Sequence, residues 1–504
     1  MANLYDRLSR QFPKDRGAPF ATLPGGRVVT YAALEARSAQ YARVLQGLGL
    51  AVGDRVAVQA EKNLDMLMLY LGCLRAGAVF LPLNTAYTAG ELDYFIADAE
   101  PALVVCDPTR LESVAEIAAR RGAPHVLTLD AAGAGTASAR ADAAEPEFAT
   151  LDLPDEALAA ILYTSGTTGR SKGAMLSHGA MASNAFALAE CWRYGPEDVL
   201  LHALPIFHTH GLFVATNVTL ASGAAMIFLP GFDPDAVMAA LPSATVMMGV
   251  PTFYIRLLKD PRFTREAVAH MRLFVSGSAP LSADVHREFA ERTGHAILER
   301  YGMTETNMNT SNPYDGERRP GTVGLPLPGV CVRIADPESG RVLPQGEVGV
   351  IEIKGPNLFH GYWRMPEKTA AEFRDGWFIS GDLGLIDDHG YVSIVGRAKD
   401  LIISGGYNIY PAEVETALDE LPEVRESAVV GAPHPDMGEG VVAVVVPREA
   451  GFADAERLTT QLRDKLARFK QPRRIVFVDE LPKNTMGKVQ KSLLRERLAD
   501  SFQS

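Results

Sequence analysis

Cysteine is scarce in this chain: four residues, Cys73, Cys106, Cys191 and Cys331, in 504 positions and no CxxC pair among them. That excludes a disulfide framework and a thiolate zinc site as organising features, and scattered thiols fit a reducing compartment. Long apolar runs are missing too. The most apolar stretch, 66–83, is interrupted by Arg75, so no membrane span is expected. The opening MANLYDRLSRQFPKD has no apolar core and does not read as a secretory signal. The final SFQS carries no lipidation or retention signal. A cytoplasmic protein is the resulting expectation. Positive charge is also in short supply, with 49 Lys and Arg against 61 Asp and Glu and a formal net charge of −12. A general nucleic-acid face is thereby disfavoured, although a local cluster of donors could still hold a nucleotide.

What is present is length and alternation. A chain of 504 residues exceeds what one hydrophobic core supports, so two or more domains are expected. Short β-rich runs alternate with helical patterns: strands near 56–60, 78–82 and 102–106, helices over 64–76 and 110–121, then strands near 224–229, 245–249 and 272–275. Such alternation predicts βαβ units and largely parallel sheets. The Ala/Gly/Ser/Asp-rich segment 130–147 is expected to be a flexible connection. After about residue 323 the pattern changes to strands separated by tight turns, at 347–354, 377–380 and 391–395, which predicts an antiparallel, barrel-like piece. A junction at Gly396-Arg397-Ala398-Lys399-Asp400 divides a large N-terminal region, 1–396, from a small α+β domain, 397–504.

The most informative string is Tyr163-Thr164-Ser165-Gly166-Thr167-Thr168-Gly169-Arg170-Ser171-Lys172-Gly173, which follows a strand-like run. Its glycines let the backbone approach an anion, its hydroxyls donate, and Arg170 and Lys172 add charge. It is no Walker A loop, because Lys172 is not followed by Ser or Thr. Read alone, it could also be a Gly/Ser/Thr surface loop.

That string resembles the signature of the adenylate-forming superfamily, which includes acyl-CoA synthetases, luciferases and peptide-synthetase adenylation domains. Further motifs occur in the superfamily's order: PIFHTHG at 205–211, SGSAPL at 276–281, ERYGMTET at 299–306, SGD at 380–382, GRAKD at 396–400 and PKNTMGK at 482–488. The resemblance implies an N-terminal domain of two α/β sheets plus a distorted β-barrel, and a mobile C-terminal domain that rotates about Lys399. It implies two half-reactions: a carboxylate attacks ATP to give an acyl-adenylate and pyrophosphate, and the thiol of coenzyme A then displaces AMP. Thr164, Ser165, Gly166, Thr167, Thr168, Gly169 and Lys172 would hold phosphates, and Glu305 would hold Mg²⁺, a hard ion that prefers oxygen ligands. Thr304 would bond the α-phosphate, Tyr301 would stack on adenine opposite Gly277, Ser278 and Ala279, and Glu299 and Gly302 would complete the nucleotide site. Asp382 would accept from the ribose hydroxyls, with Arg397 beside it. Lys488 would stabilise the adenylation transition state. Ser404, Gly405 and Gly406 would line the thiol tunnel, and Arg468, Lys470, Arg473 and Arg474 form a basic cluster that could meet CoA phosphates or simply face solvent. A lysine acetyltransferase acting on Lys488 would switch the enzyme off by removing its charge.

For the acid, His208, Thr209 and Met308 would form the acyl pocket; His208 and His210 as a metal pair is the weaker reading. Arg300, next to Tyr301, and Arg256, on the helix begun by Val250-Pro251, are expected to converge there. Buried arginines without a carboxylate partner are costly, so two of them imply an anionic substrate tail held by forked hydrogen bonds. The alternative is an ion pair with Glu299 or Glu305. The strings ERYGMTETNMNTSNPYDG, FHTHGL and GVPTFYIR resemble those of malonyl-CoA synthetases, which implies malonate, with methylmalonate also accepted. The rival readings are a CoA ligase for another small acid and a nucleotide-binding scaffold without turnover.

Overall fold

The computed structural model describes residues 3–164, 171–404, 407–463, 465–484 and 487–502. Two large sheets carry the N-terminal region. In the six-stranded sheet the order is 125–128, 103–106, 55–59, 79–82, 158–164 and 172–177; all pairings are parallel except the last hairpin. In the nine-stranded sheet the strands 298–303, 273–276, 246–249, 199–202 and 225–228 run parallel, and 307–311 pairs antiparallel with 298–303 at one side. Apart from the strand expected at 377–380, which runs on to Ile386, the expected strands and helices fall within a residue or two of the observed ones; Leu64–Ala76, for instance, is a helix. It starts where Asn63 caps the Met66 amide and ends at Gly77 with φ 73°, a left-handed conformation that favours glycine.

An antiparallel five-stranded sheet follows, built from 331–335, 349–354, 373–374, 377–386 and 392–397. The small domain has its own five-stranded sheet, in which the long strands 424–434 and 438–447 pair. Its apolar residues form separate clusters on the two faces of that sheet. The architecture is thus α/β, with two sheets, a barrel-like piece and a small α+β domain.

One expectation fails. The segment 130–147 is not a loose connection: Thr136–Asp142 is helical, and Ala137, Ser138 and Ala141 are buried. Arg37 pairs with Asp142, and the Gln40 amide donates to the Ala144 carbonyl. Alanine content that suggested a linker lets the short helix pack closely instead. The cysteines are free, with Cys73 and Cys106 in the core. Among the described residues no helix is long and apolar enough to cross a membrane.

A buried carboxylate ties the parallel strands of the larger sheet together. Asp198 is 4% exposed. It receives Arg272 through both oxygens, at 2.6 and 2.5 Å, the Thr245 hydroxyl at 2.9 Å and the Gly195 amide at 2.9 Å. Removing one partner of a buried pair leaves an uncompensated charge. Asp198→Ala is therefore expected to destabilise the N-terminal domain by about 3–5 kcal/mol in urea unfolding; a loss below about 1 kcal/mol, the size of an exposed pair, would show that the bridge does not pin the sheet.

Candidate active site

The motifs gather at the carboxyl ends of the parallel strands, the usual site for ligands in α/β sheets. Strand 199–202 leads into 203–211, strand 246–249 into Val250-Pro251, strand 273–276 into Gly277-Ser278-Ala279, and strand 298–303 into Thr304 and Glu305.

The phosphate loop is the tip of the hairpin in which Thr164 pairs with Lys172. Ser165, Gly166, Thr167, Thr168 and Gly169 lie outside the described residues. The loop's stems are held hard. Tyr163 donates to Asp98 at 2.5 Å, and Tyr94 donates to the Ser171 carbonyl at 2.7 Å. The Lys172 ammonium lies 3.7 Å from Glu372 and 4.2 Å from the centre of the Tyr362 ring. Tyr362 in turn donates to Glu305 at 3.0 Å. The sequence reading missed Tyr362 and Glu372. Both sit in a segment with no chemical signature of its own, brought in because residues 360–363 pair beside strand 172–177.

Glu305 is 6% exposed. Burial raises its pKa, while the Tyr362 hydroxyl and the charges of Lys172 and Arg397 oppose the rise. A buried carboxylate whose environment keeps pulling toward ionisation fits a magnesium ligand. Thr304 is half-buried beside it.

Tyr301 donates to Asp382 at 2.5 Å, and Arg397 pairs with the other Asp382 oxygen at 2.8 Å. Burial and the Asp382 charge push the Tyr301 phenol far up, and Asp382 raises the Arg397 pKa. A carboxylate has about four lone-pair sites, so a ribose could still donate to Asp382. Lys488 faces this group from the small domain. Its side chain stays exposed at the cleft, yet partial removal from water and the nearby Arg397 charge lower its pKa to about 8, opposed by Asp382. Glu299 is buried with Oε1 lacking a partner among the described residues, and burial pushes its carboxyl up to about 8.

The acid side is dominated by Arg300, 4% exposed. Its guanidinium packs on Gly277, where a Cβ would sit 2.3 Å from Cζ; only glycine leaves that space. Burial pulls the Arg300 pKa down to about 9. Among the described residues its Nε and Nη2 have no hydrogen-bond partner, and it pairs with neither Glu299 nor Glu305. Thr209 and Met308 are buried, and Gly302 is required because a Cβ would sit 2.0 Å from the Asn307 carbonyl oxygen. His208 is half-buried, with burial lowering its pKa to about 4. Among the described residues no metal-binding cluster of His, Cys, Asp or Glu occurs.

Arg256 departs from expectation. It is exposed, on the outer side of the helix Pro251–Leu258, whose inward face carries Tyr254, Leu257 and Leu258. It lines a cavity of ≈ 280 Å³ with Lys62, Phe207 and Phe253. Lys399 is exposed and Ser404 buried; Gly405 and Gly406 lie outside the described residues. Of the basic cluster, Lys470 pairs with Glu413 and Arg474 donates to the Ser501 carbonyl, whereas Arg468 and Arg473 are exposed. Beside Arg468 an exposed stacked pair, Tyr407 and Phe469, lies at 4.6 Å.

Comparison with known proteins gives this geometry a family. The model of the AMP-binding enzyme matches residues 6–363, and that of the AMP-binding enzyme C-terminal domain matches 413–488. A feruloyl-CoA synthase from Amycolatopsis sp is 38% identical over 96% of this chain and 97% of its own. A malonate–CoA ligase from Arabidopsis thaliana is 35% identical over 91% and 80%. The crystal structure of ATP-bound MatB from Rhodopseudomonas palustris is 58% identical, covers both chains fully and superposes with a TM-score of 0.98, against 0.87 for the apo form. A nucleotide cleft closed by a lysine from a second domain, on a chain of this likeness, belongs to the AMP-binding enzyme family, and the protein is an ATP-dependent, AMP-forming acid–CoA ligase.

Proposed function

We propose that the acid is malonate and that the enzyme makes malonyl-CoA through malonyl-adenylate, accepting methylmalonate as well. The observation that carries this reading is Arg300: a buried guanidinium with two donors unused. A ligase for a monocarboxylic acid has no reason to keep an unpaired cation at the closed end of its acyl pocket. A second carboxylate on the substrate satisfies it with charge-assisted bonds. Likeness to a malonate–CoA ligase supports the same choice, while the similar feruloyl-CoA synthase sets the rival: a ligase for a different acid. Arg256, at the entrance, would add positive potential along the acid's path rather than a second clamp.

In the first half-reaction the reacting carboxylate must approach the polyanionic nucleotide, and cations must offset the repulsion. Lys172 on the hairpin, Arg397 beside Asp382 and Lys488 from the small domain supply them. Mg²⁺ held at Glu305 would neutralise phosphate charge. Lys488 would leave when the small domain turns about Lys399, and Ser404 would then border the thiol path. Phe469 and Tyr407, with Arg468 and Arg473, would meet the nucleotide end of CoA. Acetylation of Lys488 would abolish its charge and the first half-reaction with it.

Two outcomes test this. The Lys488 ammonium is charged below its pKa and lost as pH rises through it, so kcat/KM for ATP in adenylation should fall above a pH near 8. Lys488→Arg should move that limb upward by about one unit or more, and Lys488→Ala should abolish adenylation yet spare thiolation of supplied malonyl-AMP. An unmoved limb would remove Lys488 from the role. Second, pyrophosphate release should rank malonate above acetate, succinate and octanoate, and Arg300→Gln should cut kcat/KM for malonate by roughly 10²–10⁴. Octanoate outpacing malonate in the wild-type enzyme would overturn the substrate assignment.

A further inference from the structure

His210 lies one residue beyond Thr209, and nothing so far gives it work. It is 2% exposed. Its Nδ1 lies 3.2 Å from the Ser278 hydroxyl, while its Nε2 has no hydrogen-bond partner among the described residues. Ser278 follows Gly277, the residue on which the Arg300 guanidinium rests, so imidazole and guanidinium pack against adjacent residues of one short loop. Ser278 holds its position at φ 71°, a left-handed conformation that is costly for a residue with a side chain. The backbone thus accepts strain where it aims a hydroxyl at the ring. The segment carrying His210 is equally fixed: the Gly211 carbonyl accepts from Thr216 at 3.0 Å and lies 2.9 Å from His202 Nε2.

We propose that His210 is a specificity-determining residue, donating from Nε2 to the same distal carboxylate that Arg300 neutralises. This rests on the malonate reading above. In this proposal the Ser278 hydroxyl donates to Nδ1, leaving the single imidazole proton on Nε2 and available to the carboxylate. Burial and the Arg300 charge keep the ring neutral, so His210 adds a directed hydrogen bond without adding a second buried charge. The selection follows from chemistry: an acid with a methyl group in that place leaves both the guanidinium and the imidazole N–H unsatisfied.

Two amide variants separate this from a packing role. His210→Asn keeps a polar atom for Ser278 but does not reach the pocket; His210→Gln carries a donor near the Nε2 position. The ratio of kcat/KM for malonate to that for propionate should fall roughly 10–100-fold in His210→Asn, and stay within about threefold of wild type in His210→Gln. The rise in melting temperature produced by malonate alone should be lost in the first and retained in the second. A wild-type ratio in His210→Asn, or equal losses in both variants, would overturn the inference. Should wild-type enzyme itself prefer propionate, the malonate reading fails first; if Arg300→Gln loses malonate while His210→Asn does not, only the role of His210 falls.

Discussion

A guanidinium taken out of water without a partner is the constraint around which the acid pocket is organised. Leaving a charge buried and unpaired costs several kcal/mol, so a fold that keeps Arg300 there must recover that cost when a ligand arrives. The surroundings are shaped for it. Gly277 vacates the volume of a Cβ that would stand 2.3 Å from Cζ, and Gly302 leaves room for Met308. The same desolvation that lowers the Arg300 pKa also keeps His208 and His210 neutral. Positive charge in the pocket is thus concentrated on one group, and its neighbours contribute dipoles.

Strand alternation then divides the labour. Successive side chains on a strand face opposite sides, and Arg300 and Tyr301 are neighbours on the strand 298–303. Arg300 turns toward the loop 277–278 and His210; Tyr301 turns toward Asp382 and Arg397. In our reading one short strand end would therefore serve both the acid's far end and the floor of the nucleotide site, with the reacting carboxylate between them. Proximity fixed in this way needs no further ordering when the substrates bind.

Much of this was legible in the sequence, and the limits have physical causes. Strands and helices followed from alternation, because that is local. The phosphate hairpin, Glu305, Asp382, Arg397 and Lys488 were named from strings that resemble a family's motifs, and the fold brings Asp382 to Arg397 and sets one tyrosine, Tyr362, between Lys172 and Glu305. Arg256 stands on a helix, where the packing of Tyr254 and Leu257 decides which face turns inward and leaves its side chain exposed. Tyr362 and Glu372 lie almost 200 residues from the loop lysine they touch, in a segment with no signature. His210 was visible as a residue but not as a donor, since its value depends on a serine 68 positions away. The 130–147 segment misled because small residues mark both linkers and close helix contacts.

The charges at the domain boundary suggest how the two half-reactions are kept apart. Burial together with the charges of Arg397 and Lys399 lowers the affinity of Lys488 for protons, and burial together with Arg397 and Arg495 lowers that of Lys399, with Asp382 and Asp400 as opposing charges. An incoming triphosphate would add negative charge beside them. In our reading the nucleotide therefore binds the arrangement in which Lys488 is docked, and the higher similarity of this chain to the ATP-bound than to the apo form of MatB agrees with that arrangement. Once pyrophosphate leaves, most of the compensating negative charge leaves with it. In that reading the like charges of Lys488 and Arg397 would then favour separation, and the small domain would be released when the acyl-adenylate is ready for its thiol. Departure of the first product, rather than arrival of coenzyme A, would supply the driving force for the turn.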